Sequence, residues 1–153
     1  MKLGKPSEEC AVKVMDTIPL VMRFIRADMR ENSVASLSIP QLRAMLFIKR
    51  NPGTSVSEVA EHLGVTCATA STTTERLVQR HFIERSDHPQ ERRRVVLNLT
   101  DEGKHHLEQT LAQTRAHIAD LLEGLTAEEI AHIEEGLTLL KHVFDRSEVK
   151  KAP

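Results

Sequence analysis

The spacing of apolar positions predicts a chain that is mostly helical. Between Glu8 and Arg30, apolar residues recur every three or four positions, which is the pattern of an amphipathic helix. Pro19 lies inside this stretch and predicts a kink or a break in the helix. At Ser55, the acid three residues later, Glu58, completes a capping box. Capping residues of this kind predict the starts of five later helices: Ser38, Ser55, Thr66, Thr100 and Thr126.

A change of period after the fourth helix predicts a β-hairpin. Residues 82–85 and 94–99 are expected to be short strands, and the polar residues 87–93 between them are expected to form the turn. Before the hairpin, two helices meet at Gly64, which suits the left-handed turn of a helix-turn-helix. We therefore predict a mainly α fold with a small β-hairpin wing, that is, a winged helix-turn-helix with additional helices.

Apolar stripes outside this middle part predict a dimer. The first helix and the last two helices carry such stripes, but they flank a middle unit of only about 60 residues, which is too small to cover all three. Pairing with a second copy of the chain is the natural way to bury them. We predict a helical dimerisation region, residues 1–36 and 100–153, around a winged helix-turn-helix lobe, residues 37–99.

Aromatic content and charge narrow the class of partner. The chain has four Phe but no Tyr and no Trp, so the base stacking that single-strand binders use is nearly excluded. The net charge of −1 hides a split, because residues 1–100 carry a net of +4 and residues 101–153 a net of −5. A basic first part and an acidic second part predict one face for an anionic partner and another turned away from it.

Several other classes of protein lack support in the sequence. No stretch approaches the roughly 18 apolar residues of a membrane span, and the N-terminus has no apolar signal region. Cys10 and Cys67 lie far apart and suggest no disulfide framework, so we expect a cytoplasmic protein with no membrane partner. Without a Gly-x-Ser-x-Gly motif, a phosphate loop or a His-Glu-x-x-His motif, we expect no enzyme and no cofactor.

A set of short motifs in residues 55–103 is distinctive in combination. The motifs are Ser57-Glu-Val-Ala60, Leu63-Gly-Val65, Leu77, Ile83-Glu-Arg85, Asp87-His-Pro-Gln-Glu-Arg-Arg93 and Leu99-Thr-Asp-Glu-Gly103. With them the segment resembles the MarR family of bacterial and archaeal transcriptional regulators. The resemblance implies a homodimer that binds palindromic double-stranded DNA, usually as a repressor. It also implies that the first helix and the last two form the dimer, and that a small-molecule effector or an oxidant releases the DNA.

Three positions depart from the usual pattern of that family. His81 stands where Gly usually separates the recognition helix from the first wing strand, so we expect the helix end to be arranged differently. Glu91-Arg-Arg93 replaces the usual Asp-x-Arg, and the longer acid is expected to hold the arginine less tightly. Ser71–Thr74 occupies the middle of the recognition helix, where an Arg is often found.

The fourth helix and the wing are the predicted DNA contacts. Arg93 at the wing tip suits a minor groove, where a guanidinium meets focused negative potential, and Glu91 would orient it. Hydroxyl groups read bases promiscuously, so discrimination is expected to depend on Arg76, the wing and DNA shape. The predicted DNA-binding residues are Thr66, Thr69, Ser71, Thr72, Arg76, Arg92, Arg93 and Arg94. One alternative is that the arginine cluster is a solvated hairpin and that Ser71–Thr74 merely packs helices. Another is a helical adaptor dimer that binds protein and not DNA, which would have no use for the wing arginines.

Other residues support only secondary hypotheses. Cys67 begins the recognition helix, where the helix dipole can activate a thiol, so its oxidation could block DNA binding; alternatively, it is a small residue in a tight site. Arg23 and Arg26 could receive an anionic effector or could simply be exposed cations. Histidines of the fifth helix do not pair on one helix face, so we expect solvated side chains and no metal site: His105, His106 and His117.

Overall fold

The elements of the fold follow the predicted order. The computed structural model describes residues 4–33, 36–91 and 93–151. Within those ranges the fold is mainly helical with one two-stranded antiparallel hairpin, which confirms the predicted fold class. The elements are α1 (Pro6–Asn32), α2 (Ile39–Arg50), α3 (Val56–Leu63), α4 (Cys67–Gln79), β1 (Ile83–Asp87), β2 (Val95–Leu99), α5 (Asp101–Leu122) and α6 (Ala127–Lys151).

Pro19 does not break the first helix. α1 runs from Pro6 to Asn32 with Pro19 inside it, so the prediction of a break is wrong. Proline removes one hydrogen bond of the helical ladder. The helix nevertheless has 27 residues, and extending an existing helix adds a bond for each residue that it fixes, so the remaining bonds sustain it on both sides.

Capping side chains begin the helices where the sequence predicts them. The Gln41 N–H donates to Ser38 Oγ at 3.3 Å, and the Ser38 N–H donates to Gln41 Oε1 at 2.9 Å. Thr126 and Glu129 form the same reciprocal pair, with both distances at 3.1 Å. Each box satisfies two backbone N–H groups that a helix start leaves without partners.

An aliphatic core holds α2, α3, α4, the hairpin and the first turns of α5 together. Its almost completely buried side chains include Leu42, Met45, Ile48, Val59, Leu77, Ile83, Leu97 and Leu107. Full burial of a side chain of this size contributes roughly 1.5–3 kcal/mol relative to exposure. The core therefore fixes α4 and the hairpin relative to each other, and these are the two elements that carry the predicted DNA contacts.

The residue that follows the C-cap of α4 has a left-handed backbone conformation, although it is a histidine and not the usual glycine. His81 has a φ of 63°, and the N–H groups of His81 and Phe82 donate to the carbonyls of Val78 and Leu77 at 3.0 Å each. These two bonds form a Schellman motif, in which glycine normally occupies the left-handed position. The expectation of a different helix end is wrong, because the surrounding hydrogen bonds hold the histidine at a strain of roughly 1 kcal/mol.

The start of α5 packs against the same corner. The Thr100 N–H donates to the Phe82 carbonyl at 3.0 Å, and the Thr100 hydroxyl donates to the His81 carbonyl. The Gly103 N–H donates to Thr100 Oγ1 at 2.9 Å. A Cβ on Gly103 would overlap the backbone carbonyl of Phe82. The Leu-Thr-x-x-Gly motif thus has a physical reason, since it lets a helix start directly against a backbone turn.

The chain divides into two compact units, residues 1–114 and 115–153. Apolar side chains exposed in α1, within the first unit, include Val12, Met15, Ile18, Leu20, Val21, Met22 and Phe24. Those exposed in the second unit include Leu121, Ile133, Leu137, Leu139, Val143 and Phe144. The predicted division into a dimerisation region and a lobe stays a prediction. Within the described residues, no helix is both long and apolar enough to cross a membrane.

Candidate nucleic-acid interface

α3 and α4 form a helix-turn-helix around Gly64. Gly64 has a φ of 70°, as the sequence predicts. The Val65 N–H donates to the Ala60 carbonyl at 3.0 Å, which closes the turn. Val59 and Ala60 are buried between the helices. Glycine pays no steric cost in this left-handed conformation, so the turn directs α4 away from α3 without strain.

α4 buries one face and exposes the opposite one. Ala70, Thr74 and Leu77 are buried. The helix begins at a capped position, where Thr66 Oγ1 accepts the Thr69 N–H at 3.2 Å. All the residues of this segment that the sequence predicts to contact DNA are exposed: Thr66, Thr69, Ser71, Thr72 and Arg76. The structure thus brings the predicted helical contacts together on a surface that a groove can reach.

Contacts that the sequence did not predict tie the wing to the rest of the lobe, among them those of Thr54 and Glu75. Thr54, in the connection between α2 and α3, forms an antiparallel bridge with Leu97 of β2, and the Leu97 N–H donates to the Thr54 carbonyl at 2.8 Å. Glu75 of α4 forms an ion pair with Arg85 of β1. Both contacts join segments that no local pattern connects, so periodicity could not reveal them.

His88 organises the wing loop. The His88 ring Nδ1 accepts hydrogen bonds from the backbone N–H groups of Gln90 and Glu91 at 3.1 Å each. The backbone N–H of His88 donates to the Arg94 carbonyl at 2.7 Å. These three hydrogen bonds hold the loop around His88. From the sequence, His88 is predicted only to belong to a polar turn. The signal that could have shown its role is a side-chain hydrogen-bond acceptor at the first position of that turn.

The predicted wing residues lie in different environments. Arg93 is exposed in the turn. Arg94 Nη2 lies 2.9 Å from Glu58 Oε1, and Arg94 Nη1 lies 3.9 Å from Glu91 Oε2. The ion pair that the structure gives Glu91 is therefore with Arg94, and its predicted role in orienting Arg93 stays a prediction. Arg92 lies outside the described residues.

Glu58 is a candidate residue that the sequence analysis did not assign to the site. Its carboxylate accepts hydrogen bonds from Thr54 at 3.1 Å, Ser55 at 3.2 Å and Arg94 at 2.9 Å. Of the capping box predicted at Ser55, the bond from the Glu58 N–H to the Ser55 side chain forms. The reciprocal bond from the Ser55 N–H to the Glu58 carboxylate does not form, because the three side-chain donors occupy the carboxylate. Partial burial raises the pKa of Glu58, but the three hydrogen bonds and the Arg94 charge outweigh burial and lower the pKa overall. Glu58 thus joins the start of α3 to the wing base.

We expect Glu58→Gln to destabilise the lobe slightly, and in a pH-dependent way. Both side chains of the Glu58–Arg94 pair are 46% exposed, and pairs of that exposure contribute about 0–1 kcal/mol. Because folding lowers the pKa, the contribution is full above the ordinary glutamate value of about 4.3 and is lost as pH falls through the folded value. Urea unfolding should therefore separate wild type from the variant at about pH 7, and the difference in free energy of unfolding should shrink as pH falls below the ordinary glutamate value of about 4.3.

Glu61→Gln is the matched control for this variant. Glu61 is an exposed carboxylate on the same short helix, so its replacement should change the unfolding free energy little at either end of this pH range. If the free energies of unfolding of wild type and Glu58→Gln differed equally at both ends of the range, the lowered pKa assigned to Glu58 would be contradicted.

A buried histidine and a cavity lie where α1 ends. His106 is 8% exposed, so the expectation of a solvated side chain is wrong for this residue. Its Nε2 lies 3.1 Å from Ser33 Oγ, and its ring stacks on Phe82 at a centroid distance of 4.9 Å. Burial lowers the pKa of His106, and the charges of Arg80 and His105 act in the same direction. A cavity of about 330 Å³ is lined by Asn32, His106, Gln109, Thr110, Ala112 and Gln113.

The remaining predicted residues have clear positions. Cys67 is exposed at the first residue of α4, with its Sγ 3.9 Å from Ser57 Oγ. Arg23 and Arg26 are exposed on α1 and line one shallow cavity of about 550 Å³ with Ile18, Pro19 and Met22. Among the residues described, no group of three or more His, Cys, Asp and Glu side chains could hold a metal ion.

Comparison with known proteins assigns this arrangement to a family. Residues 37–95 match the MarR family. Over 151 residues the chain is 28% identical to the HTH-type transcriptional repressor MdtR of Bacillus subtilis (strain 168), and the match covers 96% of this chain and 97% of that protein. Residues 37–95 thus form a MarR-family domain. The chain is a DNA-binding transcriptional regulator and not an enzyme.

Solved structures agree with the fold of this MarR-family protein. RV1404 from Mycobacterium tuberculosis matches with a TM-score of 0.77 at 20% identity, over 94% of this chain and 97% of that one. FabT from Streptococcus pneumoniae, solved in complex with DNA, matches with a TM-score of 0.64 at 25% identity, over 92% of this chain and 98% of that one. The arrangement of helices and wing is thus shared over nearly the whole length of these proteins.

Proposed function

We propose that this MarR-family regulator is a homodimeric repressor that binds palindromic duplex DNA and releases it when an effector binds or an oxidant acts. Each protomer would place α4 in a major groove and its wing in the flanking minor groove, with half-sites about 34 Å apart. The observation that carries the proposal is that one core holds both the exposed face of α4 and the exposed wing arginine. A protein that binds chromosomal DNA in this way would act in the cytoplasm.

The DNA contacts divide between the helix and the wing. On the helix, the proposed contacts are Thr66, Thr69, Ser71, Thr72 and Arg76, all exposed. On the wing, they are Arg92, Arg93 and Arg94, with Glu91 as the orienting acid. We assign Arg93 to the minor groove because it is exposed in the turn. Arg94, held by Glu58 at 2.9 Å, would also stabilise the wing base.

Exposed apolar surface supports the dimer. Among the described residues, seven large apolar side chains of α1 are 37% to 75% exposed, and six in residues 115–153 are 41% to 68% exposed. Soluble monomers rarely expose extended apolar patches, and a two-fold axis pairs identical surfaces. On this ground we propose residues 1–36 and 100–153 as the dimerisation region and residues 37–99 as the DNA-binding lobe.

Two features support control by an effector. The cavity beside His106 is large enough for a small molecule and lies between the end of α1 and α5. The shallow cavity on α1 places Arg23 and Arg26 side by side, which suits an anionic compound. Cys67 is a third possible control point, because an exposed thiol on the first residue of α4 would introduce bulk or charge at the DNA face after oxidation.

Fluorescence anisotropy tests the proposal. A labelled duplex covering the DNA next to the protein's own gene is titrated with reduced protein at two salt concentrations, with a scrambled duplex of equal length and composition as control. We expect saturation at one dimer per site, preference for the native duplex, and affinity that falls steeply with salt. Equal affinity for both duplexes would contradict sequence-specific repression. Absence of binding to either at low salt would favour the adaptor dimer.

A further inference from the structure

The hydroxyl protons of Thr66, Thr72 and Thr73 are committed to hydrogen bonds within this segment. The Thr72 hydroxyl donates to the Ala68 carbonyl and the Thr73 hydroxyl donates to the Thr69 carbonyl, both at 3.1 Å. At the start of the helix, Thr66 Oγ1 donates to Thr69 Oγ1 at 3.1 Å. A hydroxyl carries a single proton. These side chains therefore offer solvent their methyl groups and oxygen lone pairs, and not a hydrogen-bond donor.

Ala68, Thr72 and Arg76 form one row along the exposed face. They are spaced four residues apart, and all three are exposed. Residues four apart are neighbours on a helix, with Cβ atoms about 5–6 Å from each other. Because the Thr72 hydroxyl is turned back onto the Ala68 carbonyl, the γ-methyl is the part of this exposed side chain that is left to face outward, in the same row as the exposed Ala68 methyl. The row thus presents two methyl groups followed, one turn later, by a guanidinium.

This row fits one base better than the others. In the major groove, guanine and adenine N7 and the guanine and thymine carbonyl oxygens need hydrogen-bond donors, which the committed hydroxyls do not supply. The amino groups of adenine and cytosine need an acceptor, and the Thr72 oxygen is turned back towards the Ala68 carbonyl. Thymine alone adds a methyl group, which is recognised by apolar contact with alanine or with the threonine methyl. We propose that Ala68 and Thr72 read a thymine of the operator through its 5-methyl group. The inference rests on the proposed placement of α4 in the major groove.

Deoxyuridine substitution tests the role of the thymine methyl. The probe is a duplex of about 30 base pairs that the wild-type protein enriches from a random-sequence pool, so that no operator need be known. Thymines are replaced one at a time by deoxyuridine, which keeps the base pair and removes only the methyl group. We expect one position in each half-site at which replacement weakens binding about fourfold, and about fifteenfold when both half-sites are changed.

Two variants separate the methyl group of Thr72 from its hydroxyl. Thr72→Val keeps a methyl group at this position and should remain sensitive to deoxyuridine. Thr72→Ser removes the methyl group, so it should bind the thymine duplex up to about fourfold more weakly per half-site, and it should lose less affinity with deoxyuridine than wild type does, because only the Ala68 methyl remains to contact the thymine methyl. Thr138→Ser in α6 is the matched control, because Thr138 is an exposed helical threonine whose hydroxyl donates to the Glu134 carbonyl at 2.9 Å. It should bind both duplexes as wild type does.

The outcomes distinguish this inference from the proposed function. If the protein enriches a duplex but no deoxyuridine position weakens binding, thymine-methyl recognition is overturned and the DNA-binding proposal stands. A loss with Thr72→Val as large as that with Thr72→Ser would also overturn it, because the hydroxyl would then carry the contact. If no duplex is enriched, the proposed function fails and this inference fails with it.

Discussion

Gly103→Ala is expected to lower the free energy of unfolding by about 2–3 kcal/mol. A Cβ at this position would overlap the Phe82 carbonyl, and the opposing atoms are backbone that Leu77 and Thr100 hold by hydrogen bonds at 3.0 Å each. Because this backbone cannot turn aside as a flexible side chain would, the added methyl group must displace the start of α5. Urea unfolding followed by circular dichroism measures the loss.

Gly136→Ala, the same substitution at another glycine, is expected to raise the free energy of unfolding instead of lowering it. Gly136 lies inside α6, and a Cβ there would meet no atom within 4 Å. Alanine is a better helix former than glycine, so the free energy of unfolding of this variant should rise by up to about 1 kcal/mol. Equal effects of the two substitutions would show that the contact between Gly103 and the corner is not a tight one.

Arg93→Ala is expected to weaken binding to every duplex by about tenfold and to flatten its salt dependence. Arg93 is exposed in the wing turn, where a guanidinium can meet phosphates or the negative potential of a minor groove. Each phosphate contact contributes a slope of about 0.9 in the logarithm of affinity against that of salt concentration. The slope should therefore fall by about one unit for each protomer that loses the contact. Anisotropy titrations across a series of salt concentrations measure both quantities.

Arg146→Ala removes the same charge from α6 and controls for net charge. Arg146 is exposed and belongs to no predicted DNA contact, so its replacement should leave the slope near the wild-type value. An unchanged slope for Arg93→Ala would remove Arg93 from contact with phosphate or groove. A loss confined to one sequence would instead indicate that Arg93 reads a base.

Features that depend on neighbouring residues were predicted well. Ser38 and Thr126 begin helices because a capping side chain needs only the next turn of the chain. Gly64 is left-handed because a tight turn between two helices requires it. The wing appeared as a change from helical period to strand residues. Pro19 is the local signal that failed, since the prediction ignored how strongly a long helix propagates.

Features that join distant parts of the chain could not be predicted. Glu58 was read as a capping residue, but its carboxylate binds Arg94, 36 residues away in the sequence. His106 was expected in solvent, and packing against Phe82 and Ser33 buries it instead. Each of these pairings depends on which surfaces the core brings together.

Helix period, capping residues and the distribution of arginines were sufficient to predict a winged helix-turn-helix and the two elements that we propose to contact DNA, because such signals act within a few residues of the chain. Only tertiary structure decided the left-handed histidine at position 81, which the hydrogen bonds of an entire corner hold in place. It also decided which way the Thr72 hydroxyl turns, since a threonine in a helix can bond to the backbone or face solvent. The sequence thus determined which side chains lie on α4 and the wing, and three-dimensional packing determined which atoms of those side chains face outward.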